Sequence, residues 1–252
     1  MSKKKMDSYA HFLEAEKRTI KSTKKHYAKE ISIYVECFNL LVQTIDHIAE
    51  RSVKVKPPLG LTESAILFNA ARILSSMRVY IDLVMKGYYF DAHIIRRSLY
   101  ESVLLIDSFT RDKKYVDKWV DKELKLSQVK KEVGFYGKEI LERFYEEMSD
   151  YVHSNIPAVL TLVELEPPAR MHAEELWSAD VHTRPSFESE RISTGSVFPI
   201  MGYLTLGLLL RFFGNKMKPK TRSKIYEALR RWKTEVERLL DEDEKRLRNQ
   251  KN

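Results

Sequence analysis

From Ile66 to Ile106 the apolar residues recur at steps of three and four, and one glycine, Gly87, interrupts them. That period belongs to amphipathic helices, and a break this short leaves room for little more than a turn. Ile66, Ala70, Leu74, Met77, Ile81 and Val84 predict a helix over 63–86, with Thr62 as its N-cap. "YYFDAH" begins another helix that runs to about residue 110. A connection of one or two residues makes the pair an antiparallel hairpin.

The rest of the chain reads the same way. Residues 7–50 form one long helical pattern, with room for a break, and Ile33, Phe38, Leu41, Ile45 and Ile48 mark its apolar side. "VKVKPPLGLTES" (53–64) is a linker. Helices are expected over 112–133, ended by Gly134 and Gly137, and over 138–154. Residues 155–195 are proline-rich and acidic, with seven acidic against three basic side chains. They read as an irregular insert in which "VLTLVEL" alternates enough for a short strand. Two further helices are expected at 196–214 and 219–248, the last striped by Ile225, Leu229, Trp232, Val236 and Leu239. The reading is a single all-α domain over 1–252, with a core at 60–155, the insert at 155–195 and C-terminal helices at 196–248.

Composition supports this and narrows the function. The 252 residues hold only 8 glycines and 8 prolines, and 43% are hydrophobic. That is a helix-forming chain with enough apolar surface for a core. The net charge is +8. Such a balance suits an acidic partner, nucleic acid or an anionic membrane, and equally suits a lysine-rich solvated surface. Ile192–Leu210 carries no charge, but Pro199, Gly202 and Gly207 interrupt it and Arg211 closes it. It is read as a buried core helix, not a membrane span. Cys37 stands alone, so no internal disulfide forms, and "MSKKKMDSYA" has no apolar run behind it. Both features point to a cytoplasmic location.

Two helix faces carry chemistry. His93, Arg97 and Glu101 fall on one line of the helix after Gly87, and Arg96, Tyr100, Val103 and Asp107 on the next. With apolar residues around much of this helix, Arg96 or Arg97 sits near the core boundary. Arg97 and Glu101 are spaced to pair. The pair is either a structural salt bridge or an oriented, phosphate-binding arginine. On the helix at 138–154, Tyr145, Ser149 and His153 share a line. His153 is suited to proton transfer near neutral pH, or simply to capping a helix C-terminus. Metal-ligand spacing is absent, His172 and His182 included, as are a glycine-rich phosphate loop and a G-x-S-x-G elbow. No metal or other cofactor is expected.

"GYYFDAHIIRRSLYE" (87–101) and "YEEMSDYVH" (145–153) together carry a resemblance. Gly87, Asp91, Ala92, Ile95, Arg97, Ser98 and Glu101, then Tyr145, Met148, Ser149 and His153, resemble the pattern of an uncharacterised group of prokaryotic helical proteins. That group is similar to the HEPN superfamily of four-helix-bundle proteins, and the resemblance covers roughly 60–155. It implies a HEPN-like bundle and an RNA- or nucleotide-directed effector in a defence or toxin-like system. It further implies a metal-independent endoribonuclease and a homodimer or other protein partner. Superfamily members place four to six residues between an arginine and the catalytic histidine. Here the nearest arginine before His153 is Arg143, with nine residues between. In this chain Arg97 would therefore supply the phosphate-binding charge from the other helix.

The expected catalytic set is Arg97, Glu101, Ser149 and His153, with Arg96, Arg97, Tyr100 and Tyr145 lining the ligand or phosphate. The alternative is a non-catalytic scaffold or dimerising protein whose Arg–Glu and Ser–His contacts are structural. An anion- or small-ligand sensor using the same pocket is a third reading.

Overall fold

In a computed structural model the described residues are 8–26, 28–54, 59–132 and 188–249. They are all-α, with no strand among them. The expected strand near 159–165 and the helix at 138–154 lie outside the described residues. The helices are α1 (Ser8–His26), α2 (Ala28–Lys54), α3 (Leu61–Lys86), α4 (Tyr89–Arg111), α5 (Lys113–Val120) and α6 (Leu126–Glu132). After the undescribed stretch come α7 (Glu188–Phe213), a short 3-10 turn (Gly214–Lys216) and α8 (Pro219–Asn249).

The hairpin forms as the spacing requires. Gly87 takes φ 90°, the left-handed region that side chains with a Cβ avoid. Its N–H donates to the Val84 carbonyl and that of Tyr88 to the Leu83 carbonyl, which closes α3 with both orphan carbonyls satisfied. The start of α3 differs from expectation. Gly60, not Thr62, is the N-cap, and the Glu63 carboxylate accepts the Gly60 N–H at 2.6 Å. Glu63 thus supplies the reaching-back half of a capping box, for which the N-cap residue needs no side chain.

The expected helix at 112–133 is two helices. Asp112 ends α4 and caps α5, accepting the Lys114 N–H at 2.9 Å. That bond, with the Lys114 ammonium, holds the Asp112 carboxyl below the usual carboxylate range. The chain then turns through Lys122 at φ 61° before α6 begins. The insert expected at 155–195 is also shortened, because Glu188–Gly195 is already helical and α7 starts there. Its serines, threonine and glycine favour a loop by propensity. Once α7 is nucleated, each added residue gains one backbone bond, which outweighs a modest propensity loss.

α3 and α4 pack most extensively on each other, and α7 lies against α2, α3, α4 and α8. Ile200, Met201, Leu206, Leu209 and Phe213 of α7 are fully buried, as a helix apolar on all sides requires. The core-helix reading of this segment therefore holds. Among the described residues no helix is long and apolar enough to cross a membrane. α8 instead has one apolar side, with Ile225, Ala228 and Trp232 buried. The polar residues inside the bundle mostly bond their own helix. The hydroxyls of Thr44, Ser102, Ser108 and Thr205 donate to the carbonyls of Leu40, Ser98, Leu105 and Met201.

Candidate functional site

α4 is the spine of the candidate site. From Leu99 to Phe109 every residue except Glu101 is buried, because α3, α5, α6 and α7 all pack against it. Glu101 and Arg97, one turn earlier, mark the line along this part of α4 that still meets solvent. The Arg97 Nε donates to Glu101 Oε1 at 3.1 Å. Their side chains are 26% and 19% exposed. The pair is thus half-buried: enough water is excluded to strengthen it, and about a quarter of the Arg97 side chain stays in solvent.

The neighbouring line is interior. Arg96 is 1% exposed and heads the largest fully buried side chains. Tyr100 is buried beside it on the same line, with the Lys130 ammonium of α6 5.9 Å from its ring centroid. Of the residues expected to line a ligand, Arg97 therefore stands at the surface, and Arg96 and Tyr100 stand in the core. Across the hairpin, Arg72 of α3 donates to the Ser98 hydroxyl at 2.9 Å. Ser98 follows Arg97 directly, so this bond fixes the backbone register from which Arg97 projects. Tyr145, Ser149 and His153 lie outside the described residues.

At the far end of α4 the line from Arg96 through Tyr100 finishes in a buried carboxylate. Asp107, 1% exposed, accepts from Arg111 Nε at 2.7 Å and has Arg211 Nη1 of α7 at 3.7 Å. Arg211 Nη2 donates to the Thr110 hydroxyl at 2.8 Å. Two cations thus compensate one desolvated charge, and the cluster ties the last turn of α4 to the last turn of α7. Sequence spacing can pair Asp107 with Arg111, but Arg211 is found only from the packing.

A second polar region has no counterpart in the sequence reading. α2 and α8 leave between them a groove of about 490 Å3, lined by Glu36, Asn39, Gln43, Lys224, Glu227 and Arg231 among others. Glu36 holds both Arg231 and the indole N–H of Trp232, the latter at 3.2 Å. Below it, Arg51 donates to the Lys216 carbonyl, and Lys216 pairs with Glu63. Beside these the Lys218 N–H donates to His47 Nε2 at 3.1 Å. Burial, then the nearby Lys218 and Arg51 charges, hold the His47 pKa below its ordinary value.

Among the described residues no three His, Cys, Asp or Glu side chains are grouped as metal ligands. The arrangement on α4 offers an oriented cation and its carboxylate, which can hold an anion, and no described nucleophile. Compared with family models, with curated proteins and with solved structures, the chain matches none, so the resemblance rests on the quoted motif residues themselves.

Proposed function

We propose that the chain is an RNA-directed effector of a prokaryotic defence or toxin-like system, HEPN-like in its bundle, with Arg97 as the phosphate contact. One observation carries the reading. Arg97 is aligned by Glu101 at 3.1 Å and still keeps a quarter of its side chain in solvent. A guanidinium already oriented by a carboxylate loses little further conformational freedom when it takes phosphate oxygens. His153 is the acid or base on the 2′-hydroxyl or leaving oxygen, and Ser149 and Tyr145 share its helical spacing in the sequence. The reaction is then metal-independent RNA cleavage.

The test is cleavage of labelled single-stranded RNA in the presence of a chelator. Wild type cleaves, and His153→Ala and Arg97→Ala each slow cleavage by roughly 10²–10⁴-fold with an unchanged unfolding temperature. Wild-type protein that leaves RNA intact sinks the catalytic reading. A second reading then takes its place, a non-catalytic helical scaffold or dimerising protein. The buried Arg96 and the Asp107–Arg211 link between α4 and α7 favour it. Its mark is an Arg97→Ala variant that unfolds at lower temperature and changes no RNA chemistry.

A further inference from the structure

Between Pro219 and Lys233, α8 carries six basic residues and one acidic residue, Glu227. Helical register sorts most of these into two rows. Lys224 and Arg231 line the α2 groove, with Lys220 one turn before them in register, and this row is punctuated by carboxylates: Glu227 lies at its edge and Glu36 holds Arg231. Arg222, Tyr226 and Arg230 form the other row, each four residues from the next. No acidic residue interrupts it. Tyr226 stands in its middle, 55% exposed, an aromatic ring held out in water among cations.

We infer that this second row of α8 is a binding track for single-stranded RNA, the phosphates running along Arg222 and Arg230 and one base stacking on Tyr226. The inference rests on the reading of the chain as RNA-directed, and it adds a surface remote in sequence from α4. Charge complementarity selects a polyanion. The exposed ring selects unstacked bases, since a base has a face to offer at every position and a duplex does not expose it. A membrane surface fits poorly. An interfacial helix needs an apolar face to bury in lipid, and the apolar face of α8, with Ile225, Ala228 and Trp232, is already buried in the bundle. The row from Arg222 to Arg230 spans about 12 Å of helix, long enough for two or three phosphates.

The experiment measures binding of the full chain to a labelled oligouridine of about 20 nucleotides by fluorescence anisotropy, over a range of salt concentrations. The double variant Arg222→Glu/Arg230→Glu weakens binding on the order of ten-fold or more, and the slope of log affinity against log salt becomes shallower by roughly one to two. Tyr226→Ala weakens binding on the order of ten-fold with the salt slope unchanged, and Tyr226→Phe restores it. Lys220→Glu/Lys224→Glu, an equal charge change in the punctuated row, costs less than about three-fold. Equal losses from the two double variants, or a Tyr226→Phe variant as weak as Tyr226→Ala, overturn the track. So does equally tight, salt-sensitive binding to phosphatidylserine vesicles or to polyglutamate. If Arg97→Ala alone weakens binding, the track fails and the proposed function stands. If the α8 variants weaken binding while RNA is never cleaved, the track stands and the catalytic reading fails. If wild type binds no RNA, both fall.

Discussion

Gly202 of α7 sits directly against the Cys37 sulfur of α2, so closely that a Cβ added at Gly202 would fall inside the sulfur. The helices meet there because one side has no side chain. The thiol opposite is fully buried, and burial pushes its pKa up, so it acts as a packing group and not as a nucleophile.

The first prediction contrasts two glycines of α7. Gly202→Ala forces the backbones of α2 and α7 apart and destabilises the protein by about 1–3 kcal/mol. Gly207, further along the same helix, has open space where a methyl group would stand, with no atom within 4 Å beyond the adjacent backbone of its own helix and its two chain neighbours. Gly207→Ala therefore stabilises by up to about 1 kcal/mol through helix propensity. Urea unfolding of the two variants checks both signs. A Gly202→Ala protein as stable as wild type would place the α2–α7 contact elsewhere.

The second concerns the hairpin turn. Gly87 at φ 90° accommodates no β-carbon without strain, and Gly87→Ala costs about 1–2 kcal/mol. Asparagine tolerates this region better, so Gly87→Asn recovers part of the loss. Thermal unfolding should therefore rank glycine above asparagine above alanine. A ranking that follows helix propensity, alanine first, would mean that the turn is not left-handed.

The hairpin was legible because everything that makes it is local: the three-and-four spacing, one glycine, and a short link. The Arg97–Glu101 pair was legible for the same reason. Which of Arg96 and Arg97 is buried was not, because they differ by one step around α4. The answer depends on where α5, α6 and α7 come to lie. The Glu36–Arg231 contact joins residues 195 apart, and no local pattern encodes it. Asp112, a good N-cap residue, marks only the boundary between α4 and α5, and the break inside 112–133 turns through Lys122 at φ 61°, a residue type that favours helix and so leaves no local signal. The second half of the candidate site, Tyr145, Ser149 and His153, rests on spacing and resemblance alone.

The third prediction addresses the buried carboxylate. Arg111→Ala leaves the buried Asp107 carboxylate without its closer partner and costs up to about 3–5 kcal/mol. Arg211→Ala removes only the more exposed partner, at a distance of 3.7 Å, and costs under about 1 kcal/mol. Denaturant midpoints separate the two. Equal costs would show that the link to α7 counts as much as the closer partner.

The fourth concerns His47, whose Nε2 accepts the Lys218 N–H and must be neutral to do so. Its folded pKa is lowered below the ordinary 6.5, by burial first and then by the Lys218 and Arg51 charges, with Glu50 opposing. Above about pH 6.5 the imidazole is neutral in both folded and unfolded chains, and the bond contributes in full. As pH falls below that value the unfolded chain takes up the proton first, so stability is lost as pH drops toward the folded pKa. The loss is bounded by about 1.4 kcal/mol per pH unit, the limit for one proton. His47→Gln keeps an acceptor for the Lys218 N–H and removes the titration. Urea midpoints at about pH 7.5 and about pH 5.5 should fall more for wild type than for His47→Gln, which subtracts the carboxylates common to both. Identical pH dependence in the two proteins would mean that the His47–Lys218 bond does not anchor the start of α8.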